Sequence, residues 1–164
     1  MNFNDLLKPC EFGNNIGLLS DSGCPGIADP GSEIVLSAHM KDIKIKPIIG
    51  PSSIIMAMMS SGLNGQSFSF NGYLPIKEKQ LIDKIRFYEN KSKKENQTQI
   101  FIETPYRNKN LLSKLIKTLS PKTMLCVASN INLHNQLIIT KEVFSWKKTK
   151  IDINKKPTIF IFNC

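Results

Sequence analysis

The chain has 164 residues, a formal net charge of +9, 41% apolar and 21% charged residues. That is one ordinary domain or two small ones, globular in composition rather than disordered. No run approaches the roughly 20 apolar residues needed to span a bilayer, and the start, with Asp5 and Glu11, lacks the basic-then-apolar order of a secretory signal, so a cytoplasmic protein without a membrane span is expected.

Ile16 to Ser20 is a short apolar run ending at Asp21-Ser22-Gly23, and it predicts a buried strand that stops at a turn. Cys24 to Gly31 holds Pro25, Gly26, Pro30 and Gly31, a density of breakers that demands a shaped loop. Ser32 is placed to cap a helix running to about Met40. Lys44 to Ile49 alternates lysine with apolar residues and predicts a second strand. Pro51 and Ser52 are placed to open a helix over Ile54 to Ser61, apolar almost all round, with Gly62 as its stop. Strand, loop, helix, repeated, is the pattern of an α/β unit with parallel strands, whose ligands sit at strand carboxyl ends. Both loops lie at such ends.

Ser67 to Leu74 is extended and aromatic, and is expected to link two lobes. Lys77 to Asn90 is an amphipathic helix, and Lys91 to Gln97 reads as a polar, exposed loop. Thr98 to Ile102 is a strand, followed by Glu103-Thr104-Pro105 and a helix from Tyr106 or Arg107 to Leu119. Met124 to Ala128, Leu137 to Thr140 and Thr158 to Phe162 are further strands. The expected division is a partial α/β lobe over residues 1–66, a linker over 67–75 and an α+β lobe over 76–164.

The positive charge favours an anionic partner such as nucleic acid. Arg86 and Arg107 are the two arginines and the other cations are lysines, which points to composition rather than to a built phosphate site. Cys10, Cys24, Cys126 and Cys164 are scattered without paired spacing, and His39 and His134 lie far from them in sequence, so reduced thiols and no metal site are expected. His134 reads as a surface residue in a polar turn.

Asp21-Ser22-Gly23-Cys24-Pro25-Gly26-Ile27-Ala28-Asp29-Pro30-Gly31 resembles the signature loop of the ribosomal RNA small-subunit methyltransferase I group, within the tetrapyrrole-methylase superfamily. Further blocks follow in the order of that family: Gly50-Pro51-Ser52-Ser53, Ser61-Gly62-Leu63, Phe70-Asn71-Gly72-Tyr73-Leu74-Pro75, Glu103-Thr104-Pro105-Tyr106-Arg107 and Lys156-Pro157-Thr158. Several blocks in order form a specific signal where one alone would be weak.

The resemblance implies a two-lobed α/β fold, here with an incomplete N-terminal parallel-sheet lobe and an α+β C-terminal lobe. It implies S-adenosylmethionine held in the cleft between lobes, a homodimer, no metal, and 2′-O-methylation of a cytidine in small-subunit ribosomal RNA or the assembled subunit. Carried over residue by residue, Gly23, Cys24, Pro25 and Ile27 would contact the donor. Ser52 and Ser53 at a helix N-terminus, the backbone of Glu103 to Pro105, and Pro157-Thr158 would complete its site. Arg107 is a candidate for an RNA phosphate and Tyr73 for stacking on a base. Each has a plainer structural reading beside it: capping for the serines, a local ion pair for Glu103 with Arg107, core packing for Tyr73. Asp21 and Asp29 are the acid/base candidates, equally placed to brace turns.

Two departures stand out. Members of that family carry some seventy residues before the region matched here, including a wall of the donor pocket. Asn130 and Gln136 stand where the family has acidic residues. Three readings follow: a truncated or separately encoded part of a methyltransferase, a short version completed by a partner, or a non-catalytic RNA-binding or dimerising remnant. A small-molecule, tetrapyrrole-type methyltransferase is the enzymatic rival.

Overall fold

Alternation of apolar residues along three central strands sets the architecture of the larger part of the chain. The computed structural model describes residues 3–164, which divide into two compact units, one ending at Ser52 and the other running Ser53–Cys164.

In the second unit, β1 (Phe68–Tyr73), β2 (Thr98–Ile102), β3 (Met124–Ser129), β4 (Leu137–Glu142) and β5 (Thr158–Asn163) form one sheet in the order β1-β2-β5-β3-β4. β1 and β2 are parallel, and every other pairing is antiparallel. Successive side chains point to opposite faces. Ile100, Cys126, Ala128, Ile159 and Ile161 therefore face one layer, where Ile54, Ala57 and Met58 of a helix pack on them. Phe101, Leu125, Val127, Phe160 and Phe162 face the other, joining Leu81, Ile85, Leu111, Leu115 and Trp146. The small Cys126 and Ala128 lie beneath the short apolar helix, and the phenylalanines beneath the longer helices. Trp146, fully buried, donates its indole N–H to the Leu125 carbonyl at 2.9 Å, so its polar atom is satisfied.

The expected helices and strands of this unit are present, with four differences. The apolar helix, here α3 (Ser53–Ser61), belongs to this unit, so the units meet at 52/53 rather than at 66/67. Residues 68–73 are an edge strand of the sheet rather than a free linker, because their backbone bonds to β2. Helix α4 runs Glu78–Glu95, taking in most of the stretch expected as a loop. Ser92 within it is fully buried and accepts the Cys164 N–H at 3.2 Å, and Asn96, left-handed at φ 46°, ends the helix. A four-residue turn of helix, α6 (Val143–Trp146), was too short to leave a periodic trace.

β1 carries a bulge. Between the Phe70–Ile100 and Tyr73–Ile102 pairs, β1 advances by one residue more than β2. Gly72 takes φ 65°, a conformation that glycine adopts without penalty, and the extra residue re-aims Tyr73. Asn71 fixes the bulge by donating to Gln99 Oε1 at 2.9 Å.

The first unit holds α1 (Phe3–Glu11), which the sequence reading had not anticipated, and α2 (Ser32–His39). Leu7 and Ala38 are buried, and Lys41 pairs with Glu11 at 2.7 Å. Among the described residues of this unit there is no strand, in contrast to the two expected at 16–20 and 44–49. A strand exists only when a neighbour takes its N–H and C=O groups. Neither segment has such a neighbour, and Leu19, Ile48 and Ile49 are exposed. The cap of α2 also differs. Gly31 occupies the N-cap position without a side-chain hydrogen bond, and Ser32 is the first helical residue.

Candidate functional site

In the first unit, Cys24 to Ile27 forms a tight turn closed by the Ile27 N–H to the Cys24 carbonyl at 3.2 Å. Pro25 presets the second position, and Gly26 at φ 76° supplies the third, which requires a positive angle. Gly23, Ala28 and Gly31 also have positive φ, so the segment is a shaped loop, as its composition requires. A Cβ placed on Gly23 would meet nothing within 4 Å, so the backbone there is bare to an approaching molecule. The Cys24 thiol lies 3.5 Å from the Pro51 carbonyl, bringing this loop against the Gly50-Pro51-Ser52 loop. Ser20 closes the preceding turn, accepting the Ser22 N–H at 3.2 Å. Among the described residues, the Asp21 and Asp29 carboxylates make no hydrogen bond or ion pair, so bracing by the neighbouring serine replaces the turn role expected of Asp21.

In the second unit, the strand directions gather the remaining candidates at one end of the sheet. Tyr73 ends β1 opposite Ile102, Glu103 follows β2, Thr158 opens β5, and Ser129 ends β3 opposite Thr158. A 3-10 turn, Pro105–Arg107, leads directly into α5 (Asn108–Thr118).

Glu103 is the buried charge of this edge. Its side chain is 0% exposed, and Oε1 accepts the Thr104 N–H at 2.7 Å. Oε2 sits 3.2 Å from the Arg107 guanidinium, yet no donor is aligned on it. The pair is therefore held by charge more than by a directed hydrogen bond. The ion-pair reading of these two residues holds, with one change: the carboxylate is interior, so the pair matters more than an exposed one would.

Asn108 is the residue of this edge that sequence reasoning missed. It is fully buried, and its Nδ2 lies 3.2 Å from the Ile153 carbonyl, 2.6 Å from the Lys156 carbonyl and 3.1 Å from Thr158 Oγ1. It ties the start of α5 to the segment before β5. The Lys155 N–H to Pro105 carbonyl bond at 3.2 Å and the Asn130 N–H to Pro157 carbonyl bond at 3.0 Å complete the clamp. Asn130 and Gln136, the amides at positions with family carboxylates, hold the β3–β4 turn: Asn130 donates to Asn135 Oδ1 at 3.0 Å, and Gln136 accepts the Asn132 N–H at 2.8 Å. His134 is exposed on that turn.

The fit of S-adenosylmethionine to these residues follows from what they leave free. The Pro105 and Pro157 carbonyls already accept hydrogen bonds, proline has no N–H, and the Thr158 hydroxyl is engaged with Ser129 and Lys156. What the 105 and 157 loops offer is apolar ring surface, which suits the flat face of an adenine. In the first unit, the bare backbone at Gly23 suits a close polar ligand. The donor set fits. Apart from these residues, a shallow apolar cavity of about 330 Å³ is lined by Ile55, Met58, Met59, Gly62, Leu63, Gly65 and Phe68. It adjoins the start of β1, the end of that strand away from Tyr73, and contains none of the expected site residues.

Among the described residues, no group of three or more metal-ligating side chains is assembled, and no helix is long and apolar enough to cross a membrane.

Comparison with known proteins adds descent to this geometry. Ribosomal RNA small subunit methyltransferase I of Synechocystis sp. is 34% identical over 135 residues, covering 80% of this chain and 46% of that protein. The protein of the same name from Escherichia coli O157:H7 is 32% identical over 161 residues, covering 95% of this chain and 54% of its own. That of Buchnera aphidicola subsp. Schizaphis graminum is 33% identical, with shares of 95% and 54%. The chain thus spans about half the length of the curated relatives it matches. Among solved structures, the methyltransferase CobJ superposes with a TM-score of 0.62 at 17% identity, over 98% of this chain and 69% of that one, a likeness of fold alone. No protein-family model matches.

Proposed function

Because the chain belongs to the ribosomal RNA small subunit methyltransferase I family, over about half its relatives' length, we propose that it carries S-adenosylmethionine-dependent methyltransferase machinery. The acceptor in this reading is a ribose 2′-hydroxyl of a cytidine in small-subunit ribosomal RNA. The working form is a homodimer in the cytoplasm, acting on the RNA or on the assembled subunit.

The observation that carries the reading is the Gly23 to Gly31 loop, which four positive-φ residues shape and whose backbone is bare at Gly23, in the stretch that resembles the family's signature. S-adenosylmethionine supplies, when bound, an activated methyl group on a sulfonium. The chain's part is alignment, which is worth several kcal/mol in a displacement of this kind. Gly23, Cys24, Pro25 and Ile27 are proposed to hold the donor, with Ser52 and Ser53 offering hydroxyls and N–H groups where α3 begins. Pro105 and Pro157 are proposed to lie against the adenine, with Glu103 and Thr158 fixing those loops from inside the protein. Asp21 or Asp29 would take the proton of the hydroxyl. Tyr73, 60% exposed at the bulge, is proposed to stack on a base. Arg107 is engaged by Glu103, which makes it a weaker phosphate contact than the sequence implies.

A second reading, a non-catalytic RNA-binding or dimerising module, is favoured by the first unit, whose expected strands have no partners. The small-molecule rival rests on likeness of fold and gains nothing further from the site.

Calorimetric titration with S-adenosylmethionine and S-adenosylhomocysteine separates them. Micromolar binding by the chain, lost in Gly23→Val and Gly26→Val, is the expected result. A folded chain that binds neither compound would overturn the methyltransferase reading of these residues and leave the non-catalytic one.

A further inference from the structure

At the same end of the sheet, Tyr106 stands apart from the buried clamp around it. The residue is 77% exposed, large for an aromatic between two residues fixed in the protein. The Lys155 ammonium lies 5.7 Å from the centre of that ring, within the range of a cation–π contact. Lys155 is itself unusual: a non-glycine residue at φ 55°, held there by its N–H to the Pro105 carbonyl at 3.2 Å. Such a conformation costs energy and persists only where the surroundings impose it. The backbone thus fixes the Lys155 Cα, from which the ammonium reaches an open aromatic ring.

The charge around the pair is in surplus. Lys156 and Lys109 share one carboxylate, Asp152, at 3.2 and 3.6 Å, and Arg107 is matched by Glu103. Counting Lys155, four cations stand against two carboxylates. An open tyrosine face for a base, with ammonium groups beside it for the backbone, is the chemistry that takes a single-stranded nucleic acid.

We infer that Tyr106 and Lys155 form a contact for single-stranded RNA, Tyr106 stacking on an unpaired base and Lys155 meeting the adjacent phosphate. This rests on the reading of the chain as an RNA methyltransferase and adds residues that reading does not use. The contact is not sequence-specific, because every base has a flat face.

The test is fluorescence anisotropy of a short labelled single-stranded RNA with the full chain, across a series of salt concentrations, beside the calorimetric titration with S-adenosylhomocysteine. Tyr106→Ala is expected to weaken RNA binding roughly tenfold, and Tyr106→Phe to restore most of it. Lys155→Ala is expected to lower the slope of log affinity against log salt by about one. Thermal midpoints measured in parallel exclude loss of fold as the cause. If the unaltered chain binds RNA and Tyr106→Ala binds it equally well, this contact is overturned while the methyltransferase reading stands. If the unaltered chain binds S-adenosylhomocysteine but no RNA, the RNA acceptor and this contact fall together. If it binds neither, the methyltransferase reading falls as well.

Discussion

The two units of the chain draw on similar residues and reach different ends. In residues 53–164, isoleucine, leucine and phenylalanine alternate along strands that find neighbours, and they fill two continuous cores. In the first unit the same residue types are stranded: Leu19 is 88% exposed, Ile48 89% and Ile49 103%, while Leu7 and Ala38 are buried. An apolar run becomes a strand by virtue of what lies beside it, and that information is not within the run.

The sharpest way to break this comparison is to remove matching apolar groups from each unit. Phe101→Ala, beneath α4, is expected to cost about 3–5 kcal/mol, measured as a loss in urea unfolding free energy. Ile48→Ser is expected to change it by less than about 0.5 kcal/mol. A loss of several kcal/mol for Ile48→Ser would mean that this side chain is covered in solution, and the contrast between the units would dissolve.

A smaller effect sharpens the account of the second unit. Arg107→Ala leaves Glu103 buried without its cation, which costs about 3–5 kcal/mol for a fully buried pair. Arg107 is 26% exposed, so solvent screening reduces that to about 1–3 kcal/mol. The double change with Glu103→Gln is expected to recover most of the loss. No recovery would place the cost in the packing of the arginine stem instead.

The smallest expected effect is on pH. Asp152 is held below the usual carboxylate range by the Asn154 N–H first and by Lys156 and Lys109 after it, and Glu78 by its hydrogen bond and charge pairing with Lys114. For a group whose folded pKa is lowered, the stabilisation is present above its unfolded pKa and is lost as pH falls through the folded value. Stability is thus expected to be flat near neutrality and to decline below about pH 4, with a shallower decline in Asp152→Asn. Both carboxylates are on the surface, so salt flattens the same slope. A decline in Asp152→Asn as steep as in the unaltered chain would remove Asp152 from the explanation.

Much of the second unit was legible beforehand, because helices of period 3.6 and strands of period 2 leave a trace in sequence. The end of α4 was not, since Lys91 to Glu95 shows no apolar period and its one buried residue is Ser92. Of the candidate residues, the pairing of Glu103 with Arg107 was legible at i, i+4 spacing, while the contact of Cys24 with Pro51 was not. Asn108 was not, because its partners lie 45 to 50 residues away and a polar residue at the start of a helix reads as a cap. The bulge at Asn71-Gly72 leaves a glycine in a strand as its signal, which the family resemblance overshadowed.

The place of β5 bears on how the chain comes into being. It lies between β2 and β3, yet it leaves the ribosome after both. Until Thr158 to Asn163 has emerged, β1–β2 and β3–β4 are two separate pairs with apolar edges facing a gap. The sheet therefore closes only once β5 has followed its other four strands, and the capture of that central strand is expected to be its slowest event. A nascent chain stalled before Pro157 would present those edges to chaperones, and a released one would not.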